Sequence, residues 1–264
     1  IFYDGLFEFS SFTFTSPNED PFAPSSSDIT GQSAYSSTTW ASNTTYFNVQ
    51  DGIQYFKIPA NGLYTITAKG ASGKSYYGSS LEGLGGIVRG TFTLTKGDIL
   101  AILVGQRNPT STSTEYFRGG AGGTFVATVT GVGNNTTATP LLVAGGGAIT
   151  RTSGNRSFCD ANMSPDGKNG NGSNGGTQGT EAVGGGHNRD GGGGAAGWSG
   201  IGDAHGDTRS VYIPTGYPGT NAATAYLQAT GFIEVVNPGI GGIFNITYDQ
   251  NYRGSGGFGG GGPG

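Results

Sequence analysis

Hydrophobic positions along this chain alternate with polar ones far more often than they recur at helical spacing. From Ile1 to Thr15, Phe7 and Phe9 share one face, then Phe12 and Phe14 take the opposite parity. The intervening Ser10-Ser11 pair shifts the register, which predicts a bulged strand or two short strands. Residues 16–52 read as a polar, Pro- and Ser-rich connection anchored to a core by Trp40 and Phe47. Strand patterns then come densely, at Ile53–Ile58, Leu63–Ala68, Ile87–Thr95, Ile99–Val104, Thr124–Val129 and Leu141–Ala144. Turn residues separate them, as in Pro59-Ala60-Asn61-Gly62 and Lys96-Gly97-Asp98. Further strands are predicted at Val211–Ile213, Gly231–Val236 and Ile243–Tyr248, and only Asn221–Thr230 carries a short helical pattern. The expected class is all-β, a sandwich or jelly roll.

Glycine punctuates this pattern unevenly. It clusters at Gly119–Gly123, Gly145–Gly147, Gly167–Gly176, Gly184–Gly186, Gly191–Gly197, Gly239–Gly242 and Gly254–Gly264. Such runs read either as flexible loops or as ordered segments. Ordered glycine needs backbone partners, since it has no side chain to pack and loses the most entropy on ordering. Extended threefold helices of the polyproline II type point their N–H and C=O groups outward. Laid side by side, they can bond to one another at a separation only Gly permits. A packed glycine lattice is therefore the expectation. The chain divides accordingly: one unit over 1–264, with a terminal or donor strand at 1–15, a β core at 53–147, a glycine-rich insertion at 148–208, returning strands at 209–250 and a glycine-rich tail at 251–264.

The run from Phe56 to Gly73, FKIPANGLYTITAKGASG, resembles the opening of the glycine-rich module of the anaplastic lymphoma kinase and leukocyte tyrosine kinase receptors. The same pattern recurs in glycine-rich extracellular proteins of protists and bacteria. Three further blocks fit in order and spacing: Gly90 to Gln106, Gly119 to Val126 and Pro140 to Gly147. The resemblance covers roughly residues 53–147. It implies a β-sandwich like that of tumour necrosis factor, with glycine helices packed in a lattice between its strands. The receptor modules carry several cysteines that this chain lacks. A second likeness, in composition, is to phage tail-tip adhesins that use glycine-helix sandwiches.

Composition narrows the function classes. Of 264 residues 54 are Gly, about a fifth, against roughly 7% in ordinary proteins. No Gly-every-third-residue period runs through the chain, which excludes collagen. The 28 Phe and Tyr and 2 Trp residues argue for a folded core. Net charge is -4, the opposite of the basic surplus that neutralises phosphates, so no nucleic-acid partner is expected. No stretch approaches the ~20 apolar residues of a membrane span. Ile1 in place of an initiator Met fits a processed chain. Cys159 is the single cysteine, so no intrachain disulfide forms. Asn-x-Ser/Thr triplets begin at Asn43, Asn134, Asn135, Asn155, Asn162, Asn171 and Asn245, which together point to a secreted eukaryotic glycoprotein bearing N-linked glycans. Pro165 after Ser164 weakens the Asn162 triplet.

The motifs that resemble catalytic or cofactor sites do not hold together. Ala68 to Ser75 mimics a phosphate loop after a strand, yet Tyr76-Tyr77-Gly78-Ser79-Ser80 follows where a helix is required. Gly170 to Gly175 mimics a dinucleotide fingerprint without its strand or helix. Asn169, Asn171 and Ser173 begin like a calcium loop, but Asn174 stands at the glycine position and Glu181 falls one place late. His187, Asp190, Asp203, His205 and Asp207 are the one concentration of metal-capable side chains, and they read as polar loop residues between glycine runs. No cofactor, metal set or catalytic constellation is expected. Adjacent Tyr76 and Tyr77 on a glycine loop are candidate binding aromatics. The expected function is that of an extracellular structural or adhesive glycoprotein, a repeating subunit of a fibre or coat that associates with itself or with another extracellular protein. The alternative is a recognition module, a receptor ectodomain or host-recognition adhesin, that binds through loops 107–118, 148–166, 187–190 and 198–209.

Overall fold

The computed structural model describes residues 7, 10–17, 19, 22–73, 82–108, 120–131, 138–148 and 160–161. Among the described residues the architecture is all-β apart from two single-turn helices, α1 (Ser26–Thr30) and α2 (Ser33–Ser36). Helix α1 starts at a reciprocal capping box. The Ser25 hydroxyl accepts from the Asp28 N–H at 3.2 Å, and the Asp28 carboxylate accepts from the Ser25 N–H at 2.9 Å. These helices lie in the stretch expected to be plain connection. Each drives one side chain, Ile29 or Tyr35, into the core beside the anchors Trp40 and Phe47.

Seven strands follow among the described residues: β1 (Phe47–Gln50), β2 (Ile53–Lys57), β3 (Gly62–Lys69), β4 (Ile87–Leu94), β5 (Ile99–Leu103), β6 (Thr124–Val129) and β7 (Ala138–Ala144). Six of them match the predicted strand positions. Strand β1 is additional, and it is set by Asp51-Gly52, whose φ angles of 51° and 73° make the two-residue turn that suits a right-twisted hairpin. One sheet has the order β1-β2-β5-β6-β7 and the other is the β3-β4 pair, with every pairing antiparallel.

The two sheets obey different patterns for a physical reason. Strands β3 and β4 alternate strictly, turning Tyr64, Ile66, Ala68, Val88, Phe92 and Leu94 inward and Thr65, Thr67, Arg89 and Thr91 outward. Strands β2, β5 and β6 are buried on both faces, so they read as nearly continuous apolar runs such as Ile99-Leu100-Ala101-Ile102-Leu103. One face, carrying Phe56, Leu100, Ile102, Val126 and Leu142, shares a core with β3 and β4. The other buries Ile53, Tyr55, Ala101, Leu103, Phe125 and Ala127. Strand β7 bulges opposite Val126 and Ala127 and carries Pro140, a residue confined to edges and bulges because it cannot donate to the ladder.

The described part of the amino-terminal segment, Phe7 and Ser10 to Pro17, lies in no strand. Phe7 and the opposite-parity Phe12 and Phe14 nevertheless reach the same core, with Ser10 at a bend between them where a bulged strand or two short strands were expected. The predicted strands at 211–213, 231–236 and 243–248 and the helix at 221–230 lie outside the described residues.

Candidate functional site

Two features stand out beyond the strands themselves. The first grows from one end of both sheets. Strands β3, β5 and β7 end, and β4 and β6 begin, on the same side, and there the chain continues as extended segments 70–73, 83–86, 104–108, 120–123 and 145–148, joined by 160–161. None is assigned as helix or strand, yet each is tied to its neighbours through the backbone. The Gly70 N–H donates to the Gly86 carbonyl at 2.9 Å, Ala71 to Gly122 at 3.0 Å, and Gly147 to Ala71 at 2.9 Å. Segment 70–73 therefore bonds three different neighbours, where a strand in a flat sheet has at most two. Segments 83–86, 120–123 and 145–148 do likewise: Gly86 donates to Gly145 at 2.8 Å, Ala121 to Gly147 at 2.8 Å, Gly122 to Gln106 at 2.9 Å and Ala161 to Leu84 at 2.9 Å. The result is a lattice in cross-section.

Glycine is required where the chains approach most closely. A Cβ on Gly70, Gly85, Gly105, Gly146 or Gly147 would lie 2.0–2.3 Å from a carbonyl oxygen of another segment. The junction with the sheets is fixed by buried Thr124, whose hydroxyl donates to the Lys69 carbonyl at 2.6 Å and accepts from the Gly105 N–H at 3.0 Å. At the far end Arg107 donates to the carbonyls of Ser72 and Gly73, at 3.3 and 3.0 Å, and to Glu82 at 2.8 Å. Arg107 and Glu82 remain 35% and 40% exposed, so the ion pair adds little beyond the carbonyl bonds.

The second feature is an aromatic groove filled by the amino-terminal segment. Phe7 packs on Trp40, Tyr46 and Phe56 with ring centroids 6.2, 5.1 and 6.0 Å away. Phe12 meets Tyr35 and Trp40 edge-on at 5.2 and 4.7 Å, and Phe14 meets Phe56 at 5.4 Å. These geometries suit the ring quadrupoles. Polar groups finish the seat. Tyr35 donates its hydroxyl to Gln54 Oε1 at 2.6 Å and accepts from the Thr15 N–H at 2.8 Å. Gln54 donates to the Thr15 carbonyl at 2.9 Å, Thr15 Oγ1 donates to Gln32 at 2.9 Å, and Gln106 donates to Ser16 Oγ at 2.9 Å. Burial pushes the Tyr35 hydroxyl above its usual range, with the hydrogen bond donated by the Thr15 N–H partly offsetting that shift.

No protein-family model matches the chain, and no curated protein is significantly similar to it. The site must be read from its own residues. Of the sequence-predicted positions, Asn43 is described. It lies half-buried in the turn between Trp40 and β1, flanked by exposed Ser42, Thr44 and Thr45, and its Oδ1 accepts the Thr45 N–H at 3.0 Å. Asn134, Asn135, Asn155, Asn162, Asn171 and Asn245 lie outside the described residues, as do Tyr76, Tyr77, Cys159 and the residues His187, Asp190, Asp203, His205 and Asp207. Among the described residues no helix is long and apolar enough to cross a membrane, and no three His, Cys, Asp or Glu side chains converge as a metal site. Sequence reading missed the Tyr35-Gln54-Thr15 network, for which no local pattern exists. It did anticipate close glycine contact.

Proposed function

We propose that the chain is an extracellular structural or adhesive glycoprotein, a repeating subunit of a fibre or surface coat. We read its fold as a β-sandwich like that of tumour necrosis factor, with the extended glycine segments as packed polyproline-II-type helices. The observation that carries this reading is the three-way backbone bonding of the lattice. It makes a rigid body from a chain with one cysteine, suited to a part that bears load or holds shape outside the cell. The sequon at Asn43, on an accessible turn, supports the extracellular assignment. Negative-stain electron microscopy of the natively purified protein tests it. Regular filaments or sheets are expected; dispersed monomers overturn the structural reading.

A second reading rests on the Arg107 cluster. Gly73, Glu82 and Arg107 meet at the far end of the lattice, which brings three described segments to one place. Segments converging in that way suit the base of a recognition surface of a receptor ectodomain or adhesin. Loop exchanges that alter binding without altering assembly support this reading.

A further inference from the structure

We propose that the outward face of the β3-β4 pair binds a linear anionic polysaccharide. Lys69 and Arg89 hold its carboxylate or sulfate groups, and the threonines beside them hold its hydroxyls. This goes beyond the assembly reading above and stands whether or not the chain polymerises.

Three observations carry it. The first is a pair of unneutralised cations. Lys69 and Arg89 are exposed on neighbouring strands and diagonal to one another, which sets their backbones about 7–8 Å apart. The residues directly across from them are Ile87 and Thr67. Neither cation has an ion pair or a side-chain hydrogen bond among the described residues. An acid at either facing position would stabilise the sheet. An anion lying between the two side chains supplies that missing charge through charge-assisted hydrogen bonds. The second is a set of hydroxyls. Thr65, Thr67, Thr91 and Thr93 are exposed on the same face, roughly 7 Å apart along a strand and about 4.8 Å apart across the pair. Thr65 and Thr91 lie opposite and share a hydrogen bond at 3.2 Å. Every threonine hydroxyl both donates and accepts, which is what the hydroxyls of a sugar chain require of a partner. The third is what the face omits. Its outward positions hold no acid and no aromatic ring. Leu63 and Ile87, 76% and 55% exposed, stand at opposite ends of the pair. The face therefore offers no platform for stacked bases and no apolar centre for a protein partner. The chain's net charge of -4 does not oppose this, because charges beyond ~8 Å are screened at physiological salt and the local pair decides.

Binding of the natively purified full chain to immobilised polymers tests the proposal by biolayer interferometry in physiological salt. The probes are dextran sulfate and polygalacturonate, with neutral dextran, poly-L-glutamate, duplex DNA and phosphatidylserine vesicles alongside. Retention on dextran sulfate or polygalacturonate and none on neutral dextran is expected, and the two polymers show which anion the face takes. Lys69→Gln/Arg89→Gln should weaken that binding about tenfold, as loss of charge-assisted contacts requires. Lys57→Gln/Lys96→Gln, which removes the same charge outside the face, should weaken it less than about twofold. Thr67→Val/Thr91→Val keeps the charge and the strand propensity, and it should weaken polysaccharide binding several-fold while leaving any poly-L-glutamate binding unchanged. No binding to either anionic polysaccharide, or equal losses in the two charge variants, overturns the proposal. Equal or tighter binding of poly-L-glutamate, DNA or vesicles through the same two cations also overturns it, and assigns the face to a protein, a nucleic acid or a membrane. Lys69 and Arg89 are exposed, so the fold should survive their replacement; should the double variant unfold in urea at a lower midpoint, Lys69→Gln and Arg89→Gln are read singly in the same way. Filaments or monomers in the same preparations judge the assembly reading separately.

Discussion

Gly145 and Gly146 are neighbours in one segment, yet alanine at the two positions has very different consequences. At Gly146 the new Cβ would lie 2.1 Å from the Ala121 carbonyl oxygen and 2.6 Å from its carbon, both rigid backbone. Relief to ordinary contact needs about 1 Å of separation between segments 120–123 and 145–148, which stretches the 2.8 Å bond from Ala121 to Gly147 past hydrogen-bonding range. The 145–148 segment cannot yield freely, because Gly83, Gly86 and Ala71 hold it from its other sides. One or two buried backbone bonds lost at about 1–3 kcal/mol each, with overpacking of about 1–3 kcal/mol, give a destabilisation of about 2–9 kcal/mol. That is a large part of a domain's usual ~5–15 kcal/mol. At Gly145 the only atom of the described residues within 4 Å of the new Cβ is the Ala161 Cβ at 3.8 Å, and φ is not left-handed. Gly145→Ala should shift stability by no more than ~1 kcal/mol, in the stabilising direction if reduced freedom of the unfolded chain dominates. Urea unfolding followed by tryptophan fluorescence compares the pair. Equal midpoints for the two variants would refute the lattice as the reason for glycine here.

Tyr35→Phe leaves the Thr15 N–H and Gln54 short of a buried partner and should cost about 1–3 kcal/mol in the same assay. The raised Tyr35 hydroxyl favours the protonated form in the folded state, so its contribution is complete below the unfolded value of 10.0 and is lost as pH rises from there through the folded value; Tyr35→Phe should flatten this fall in urea midpoint above pH 10. Arg107→Ala should cost about 1–2 kcal/mol through its two carbonyl bonds, whereas Glu82→Gln should cost less than ~0.5 kcal/mol because the ion pair is half-exposed; a larger loss for Glu82→Gln would reverse that ranking. Asn43→Gln and Thr45→Ala should each remove one glycan's mass from the secreted protein by intact mass spectrometry, and unchanged mass in both would exclude Asn43 as an acceptor.

Local pattern carried most of the strand order into the sequence. Strict alternation exposed β3 and β4, the turn at Lys96-Gly97-Asp98 marked the corner where Gly97 adopts φ 99°, and the apolar runs of β5 and β6 gave away strands wherever turn residues bounded them. Short elements were harder to read. Strand β1 offers only Phe47 and Val49, and α1 and α2 bury one side chain each, too few for any period to emerge. Their signals were chemical: the Asp51-Gly52 turn and the Ser25–Asp28 capping box. The groove was illegible for another reason. Its bonds join residues 39 and 90 positions apart, as in Gln54 to Thr15 and Gln106 to Ser16, and nothing in the spacing of polar residues predicts such pairs. Glycine clustering pointed to segments 120–123 and 145–148, but 70–73, 83–86 and 104–108 lie outside every predicted cluster, and which glycines face a neighbour's carbonyl follows from the packing alone.

The three-way bonding of segments 70–73, 83–86, 120–123 and 145–148 sets how the molecule meets force. A hairpin pulled apart at its ends opens one bond at a time, each break concentrating the load on the next. A segment gripped from three sides cannot be peeled in that manner. Tension along it is shared sideways at once, and withdrawal requires bonds on every side to slip together. Toughness of this kind comes mainly from backbone, with Arg107 adding side-chain bonds to the Ser72 and Gly73 carbonyls at one end.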